Sequence, residues 1–200
     1  MTAENPLKKY EGTFYACDGN QKATMELSAP SLQGLNITLR SEVFSAENCS
    51  GNVIATYAFN SAAHLNYEGT TTADLPPFTL FPASDVIDKI ALVGGTVTAS
   101  LTGTGVKGSC VDYAYINNGV TSAGNICFDL NIIAANTKGA LYLSSNGQNL
   151  IQFELLNGLY EYQSVMSRNS SFNLTALVKD SVPLPSKQTW SDVPPAITPS

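Results

Sequence analysis

Apolar residues recur at every second position along most of this chain, and that alternation restricts the fold more than any other feature. In Gln21 to Ser28, Ala23, Met25 and Leu27 alternate with Lys22, Thr24, Glu26 and Ser28. Leu35, Ile37 and Leu39 repeat the pattern against Asn36, Thr38 and Arg40. A period of two places alternate side chains on opposite faces of a strand, so each such run reads as a strand with one dry and one wet face. Asp18-Gly19 separates the run from Tyr10 to Cys17 from the run beginning at Gln21, which predicts a tight hairpin. Further strands are expected over 52–59, 64–69, 88–93, 96–102, 111–117, 125–134, 140–144, 150–156, 159–164 and 171–179. Asn118-Gly119, Asn146-Gly147 and Asn157-Gly158 punctuate them, dipeptides that readily adopt positive φ. Short helical turns are expected only near 83–88 and 163–168, the first opening on Ser84 as an N-cap.

A parallel sheet would need helical crossovers of about a dozen residues, and no amphipathic helix of that length is present. The chain is therefore expected to be all-β: an antiparallel barrel, lipocalin-like, or a barrel-like sandwich of about 8–11 strands. The domain is expected to span 10–180, with a flexible segment 1–9 before it and a Pro-rich extended tail 181–200 after it. Between Gly69 and Asp85 lie Pro76, Pro77 and Pro82, which a central strand would not accommodate. This stretch reads as a long loop whose Leu75, Phe78, Leu80 and Phe81 pack back on the domain or cover an opening.

The chain of 200 residues carries only 13% charged residues, against about 25% in an average soluble domain. Their place is taken by 20 Ser, 18 Thr and 17 Asn. A net charge of −6 with only 10 Lys and Arg, never more than two adjacent, argues against nucleic acid as a partner. No run approaches the ~20 apolar residues of a membrane-spanning helix.

Cys17, Cys49, Cys110 and Cys127 show no C-x-x-C spacing, and His64 is the single histidine, so a Cys/His metal cluster has nothing to recruit. Two disulfides are the expected use. Three connectivities are open; the sequential one, Cys17 with Cys49 and Cys110 with Cys127, is favoured because each pair flanks one group of predicted strands. Each bridge would contribute on the order of 3 kcal/mol. Disulfides imply an oxidising compartment: periplasm, outer-membrane surface or medium. Four free thiols in a cytosolic protein are the competing reading. No signal peptide is recognised, which a mature form explains. The sequons at Asn36, Asn48, Asn169 and Asn173 match the number that chance supplies in so Asn- and Ser/Thr-rich a chain.

Catalytic chemistry finds little support. His64 lies in a strand-like run without a G-x-S-x-G elbow anywhere in the chain. Asp85 and Asp88, and Glu42 and Glu47, read as solvated strand ends, since a glycosidase needs two opposed carboxylates that sequence spacing does not establish. Asp18-Gly-Asn20 is too short for calcium, and Gly103-Thr-Gly105 lacks the rest of a phosphate loop. No metal and no cofactor are expected. Tyrosines are more informative: Tyr113 and Tyr115 share a strand face, as do Tyr160 and Tyr162. Tyr113 and Tyr115, with Phe78 and Phe81 on the Pro-rich loop, are the candidate ligand-binding residues.

Gly12-Thr-Phe14-Tyr15 resembles the G-x-W-Y opening of lipocalins and related calycin barrels, with Phe in place of Trp. The resemblance implies an eight-stranded up-and-down barrel closed at one end by that ring beneath a late arginine. Only Arg168, placed just before the expected last strand, could take that part. The early G-x-aromatic strand, Cys17, and the turn Asn48-Cys49-Ser50-Gly51 are also similar to β-rich secreted or lipid-anchored proteins of Gram-negative bacteria. That likeness implies an extracytoplasmic protein and no catalytic residues. The expectation is a non-catalytic envelope or secreted binding protein with a protein or glycan partner. A lipocalin-like carrier of a small apolar molecule is the alternative, and a hydrolase the third reading.

Overall fold

A computed structural model describes residues 3–117, 119–131 and 134–174. A 3-10 turn, Lys8–Tyr10, precedes β1 (Gly12–Asp18), β2 (Gln21–Ser28), β3 (Leu35–Ala46), β4 (Ser50–Phe59), β5 (Ala63–Asp74) and β6 (Ser84–Val93). Four strands follow from an excursion: β7 (Ala99–Gly103), β8 (Val106–Lys107), β9 (Cys110–Asn117) and β10 (Val120–Cys127). β11 (Lys138–Leu143), β12 (Asn149–Leu156) and β13 (Leu159–Ser167) complete the described chain. Glycine dipeptides turn the hairpins as their φ freedom requires. Asn157 (φ 50°) and Gly158 (φ 80°) both take positive φ between Leu156 and Leu159, which face each other across β12 and β13.

The architecture is all-β and predominantly antiparallel. Eight strands form a ring in chain order, β1-β2-β3-β5-β6-β11-β12-β13 and back to β1, every neighbouring pair antiparallel. Ring closure removes sheet edges, which otherwise invite pairing with another chain. β3 holds two partners along one side. Its Leu35–Ile37 portion faces β5, and its Arg40–Ala46 portion faces β4. β4 and β5 thus behave as one long strand broken at residues 60–62. The segment 94–137 leaves the ring between β6 and β11 and returns as a lobe. There β7 pairs β4, while β8 and β10 pair β9. Tyr57, fully buried on β4, stacks on Phe128 with ring centroids 4.9 Å apart, tying the lobe to the ring.

Both disulfides have the favoured sequential pairing, Cys17 with Cys49 and Cys110 with Cys127, and no described cysteine is free. The first ties the end of β1 to the turn after β3. The second joins directly opposed residues of β9 and β10.

Several expectations change. Asn5, Leu7 and Tyr10, at and just after the segment expected to be flexible, are packed on the domain. The Asn5 side chain donates to Ser31 O (3.0 Å) and Gly34 O (2.8 Å) and accepts from the Leu7 N–H (3.0 Å). Leu7 and Tyr10 have no exposed surface. The helical turns expected near 83–88 and 163–168 are strand, because Ser84–Val93 pairs with β5 and Leu159–Ser167 pairs with β12 over their lengths. The loop expected over 69–85 shrinks at both ends. Thr70, Thr71 and Thr72 extend β5 against Asp88, Ile87 and Val86, as β-branched residues favour. What remains, 75–83, does pack back on the domain: Leu75, Phe78 and Phe81 are buried and Leu80 is exposed. Thirteen strands form, with β4 and β5 the two parts of one broken run and β8 only two residues long. Arg168 follows the last described strand. The end of the expected strand 171–179 and the Pro-rich tail lie outside the described residues.

The Cys17–Cys49 bridge spans 32 residues and the Cys110–Cys127 bridge 17. Replacing either pair with serine is expected to lower unfolding free energy by about 3 kcal/mol through the freer unfolded chain. Urea denaturation of the two double variants checks this, and an unchanged midpoint for either would contradict it.

Candidate functional site

Strand register shows what fills the ring. Phe14, Met25 and Leu39 stand directly opposite one another across β1, β2 and β3, and Leu35, Leu65 and Leu92 across β3, β5 and β6. All six are buried. Asp88 is on the same face of β6 as Leu92, four residues away. It begins a row across the ring, Asp88, Leu141, Gln152 and Ser164. This row carries the interior's polar groups, and each finds a partner. The Ser164 hydroxyl donates to Gln152 Oε1 at 2.7 Å. Tyr10 donates its hydroxyl proton to Asp88 Oδ2, with Leu141 O 2.9 Å from the same hydroxyl oxygen. Lys9 Nζ lies 2.7 Å from Asp88 Oδ2. A buried carboxylate is tolerated only when paired and hydrogen-bonded, and Asp88 is both. Burial, then the Asp88 hydrogen bond, drives the Tyr10 phenol far above its ordinary range.

One end of the ring is closed by Arg168. Its guanidinium lies over the Phe14 ring, 4.5 Å from the centroid. It donates from Nη1 to Glu11 O (2.8 Å), from Nη2 to Lys9 O (3.1 Å) and from Nε to Gly147 O (2.9 Å). A planar five-donor fork suits three carbonyls at once, and the aromatic face takes the cation. Gly12 (φ 132°) is required here, since a Cβ at that position would lie 2.2 Å from Arg168 Nη1.

Among the described residues the best-formed depression lies beside Leu65, Ile90, Gln152, Glu154 and Gln163. It has interior room for about one water molecule. Glu154 stands opposite Glu161 across β12 and β13. Burial, and then the Glu161 charge, raises the Glu154 carboxyl above its usual value.

Of the residues expected to bind a ligand, Phe78 and Phe81 lie together and Tyr113 packs elsewhere, on Gly124. Phe78 and Phe81 pack on each other (6.4 Å between centroids), and Phe81 meets Tyr142 edge-on at 6.3 Å. Both are buried in the core. Tyr113, half-buried, covers Gly124 on the neighbouring strand: a Cβ on Gly124 would meet the Tyr113 ring at 2.7 Å. Tyr115 pairs with Ser122 along the same strand, and its side chain lies outside the described residues. Tyr160 and Tyr162 are half-buried on β13. His64 contacts Asn36, its cross-strand partner, with Nδ1 2.9 Å from Asn36 Oδ1. Asp85 accepts from the Tyr142 hydroxyl at 2.9 Å, and burial together with that carboxylate pushes Tyr142 up to about 12.

Among the described residues no three His, Cys, Asp or Glu side chains are grouped to hold a metal ion, and no helix is long and apolar enough to cross a membrane. The Tyr10–Asp88 pair escaped sequence reading because 78 residues separate its members. The one signal was a carboxylate at an inward position of the apolar run from Val86 to Val93. No protein family, curated protein or solved structure matches this chain.

Three outcomes follow from these environments. Tyr10→Phe removes a hydrogen bond to a buried carboxylate and is expected to cost about 1.5–3 kcal/mol, read as a fall in urea midpoint with unchanged circular dichroism. Tyr142 and Tyr162 both ionise near 12 in the folded chain. The unfolded chain releases those protons near pH 10, so stability is full below about pH 10 and declines as pH rises towards 12. A urea series at stepped alkaline pH measures this, and a flat profile through that window would contradict it. Glu154→Gln relieves a like-charge pair and is expected to add about 0.2–1 kcal/mol at neutral pH, the gain shrinking on acidification as Glu154 itself becomes neutral.

Proposed function

We propose that this chain is a non-catalytic, extracytoplasmic binding protein of the cell envelope or medium, built on a calycin-like barrel, whose partner is a protein or glycan met on the outer surface. The observation that carries this reading is the filled interior. A small-molecule carrier needs a cavity of a few hundred Å3. Here Phe14, Met25, Leu39, Leu65, Leu141 and Leu150 occupy the space, each at most 3% exposed.

The calycin likeness rests on three features standing together: the Gly12-Thr-Phe14 opening, the preceding 3-10 turn, and Arg168 over Phe14. The eight-membered up-and-down ring agrees with it. Two formed disulfides fit an oxidising compartment, from which the envelope or secreted placement is drawn. Low charge then describes the wet faces of the strands. Thr38, Thr56, Asn66 and Thr72 are among the outward Ser, Thr and Asn that occupy those positions without inviting a polyanion.

Native mass spectrometry of the purified protein, with and without a thiol reductant, tests the reading. The expected spectrum shows a chain carrying both disulfides and no bound small molecule, gaining four protons' mass only after reduction. A co-purified apolar molecule in stoichiometric amount would favour the carrier instead, and four free thiols in the native chain would remove the extracytoplasmic argument.

A further inference from the structure

Asn-Gly dipeptides occur at Asn118, Asn146 and Asn157, and the last two are described at both residues. Asparagine before glycine has a chemistry of its own. The glycine amide nitrogen can close a five-membered ring on the asparagine side-chain carbonyl carbon, and no Cβ on the glycine hinders its approach. Whether the ring closes depends on what holds the two groups.

Asn146 and Asn157 are both exposed, so access to water does not separate them. Asn146-Gly147, in the turn between β11 and β12, is held at each group that ring closure would have to move. Asn146 Oδ1 accepts from the Ser144 hydroxyl (2.6 Å) and from the Gln148 N–H (3.0 Å). The Gly147 N–H donates to Ser144 O at 2.8 Å, and Gly147 O accepts from Arg168 Nε at 2.9 Å. A hydrogen-bonded amide is harder to deprotonate, and its nitrogen does not swing away while that bond stands. Asn157-Gly158, in the two-residue turn between β12 and β13, carries none of these restraints. Among the described residues neither the Asn157 side chain nor the Gly158 N–H has a hydrogen-bond partner. The ladder ends at Leu156 and Leu159, on either side of the two turn residues. Bringing the Gly158 nitrogen to Asn157 Cγ therefore breaks no hydrogen bond made by either group.

We propose that Asn157-Gly158 is a site of spontaneous covalent modification, converting to aspartate and isoaspartate in the folded chain while Asn146-Gly147 stays intact. Hydroxide removes the Gly158 amide proton, and the nitrogen attacks Asn157 Cγ. The new N–Cγ bond forms as the Cγ–Nδ2 bond breaks, and Nδ2 takes up a proton from water and leaves as ammonia. Water then opens the cyclic imide. Opening at Cγ leaves aspartate at position 157; opening at the backbone carbonyl leaves isoaspartate, whose main chain runs through Cβ and Cγ. Nothing is oxidised or reduced. Either product adds a carboxylate to a hairpin that already sets Glu154 opposite Glu161. Isoaspartate also lengthens by one carbon a turn whose two residues both take positive φ.

Incubation of the full chain at mildly alkaline pH, sampled over time and followed by peptide mass spectrometry, tests this without any substitution. Cleavage after lysine, arginine and glutamate releases residues 139–154 and 155–161 as separate peptides, and Asn118 falls in a third, 108–138. Replacement of the side-chain amide by a carboxyl is read from the mass of each, and isoaspartate from its separate elution. In the folded chain peptide 155–161 is expected to convert faster than 139–154 by about tenfold or more, because the held turn reacts only when it opens locally. A parallel incubation in guanidinium chloride removes both turns, and there the two peptides are expected to convert at comparable rates. Folding thus protects Asn146 and leaves Asn157 reactive. Equal rates in the folded chain, or faster conversion at Asn146, would overturn the proposal. So would an unchanged 155–161 peptide in the folded chain over a time in which the denatured chain converts it.

Discussion

The contact on which the rest of the structure depends is Arg168 lying over Phe14. A barrel must join its first strand to its last, and here direct pairing supplies a single residue pair, Tyr15 with Ser167. Arg168 adds what the ladder lacks. It stands one residue beyond that pair, stacks on a ring from β1, and donates to three carbonyls from separate parts of the chain, Lys9, Glu11 and Gly147. One side chain thus binds the 3-10 turn, the entry to β1, the β11–β12 turn and the end of β13. Charged donors on carbonyls contribute more than neutral hydrogen bonds, and the aromatic face removes the cation from water on one side.

Closing that end has consequences inside. With Leu7 and Tyr10 drawn in by the same turn, Tyr10 reaches across to Asp88 and the interior becomes a packed core with a short polar row. The Pro-rich connection is used in the same way: its Phe78 packs on Phe81, and Phe81 on Tyr142. On the function proposed above, a partner would be met by the exterior, where low charge and many hydroxyls and amides set the surface chemistry.

Much of this was legible in the sequence because it is local. Period-two alternation marks β2 to the residue, and the glycine dipeptides mark the hairpins because turn geometry depends on two or three adjacent residues. The disulfide pairing was readable once each cysteine pair was seen to flank one group of strands. The expected partnership of Phe14 with a late arginine came from resemblance, and Arg168 is indeed over Phe14. Other features depend on groups far apart in sequence. Nothing near Asn5 announces that its amide will hold Ser31 and Gly34, so the first residues read as loose. Prolines at 76, 77 and 82 outweighed the strand preference of Thr70 to Thr72. The candidate binding tyrosines were ambiguous for a related reason, since a strand aromatic serves equally to cover a glycine, as Tyr113 covers Gly124, and to face a ligand.

Whether Arg168 and Phe14 are energetically coupled is measured directly by a double-mutant cycle. Unfolding free energies of the parent, Phe14→Leu, Arg168→Met and the double variant would be compared by urea denaturation. A coupling of about 1–2 kcal/mol, with Arg168→Lys failing to recover the parent stability, is the result predicted here. Additive effects, or full recovery by lysine, would contradict the claim that this contact closes the barrel.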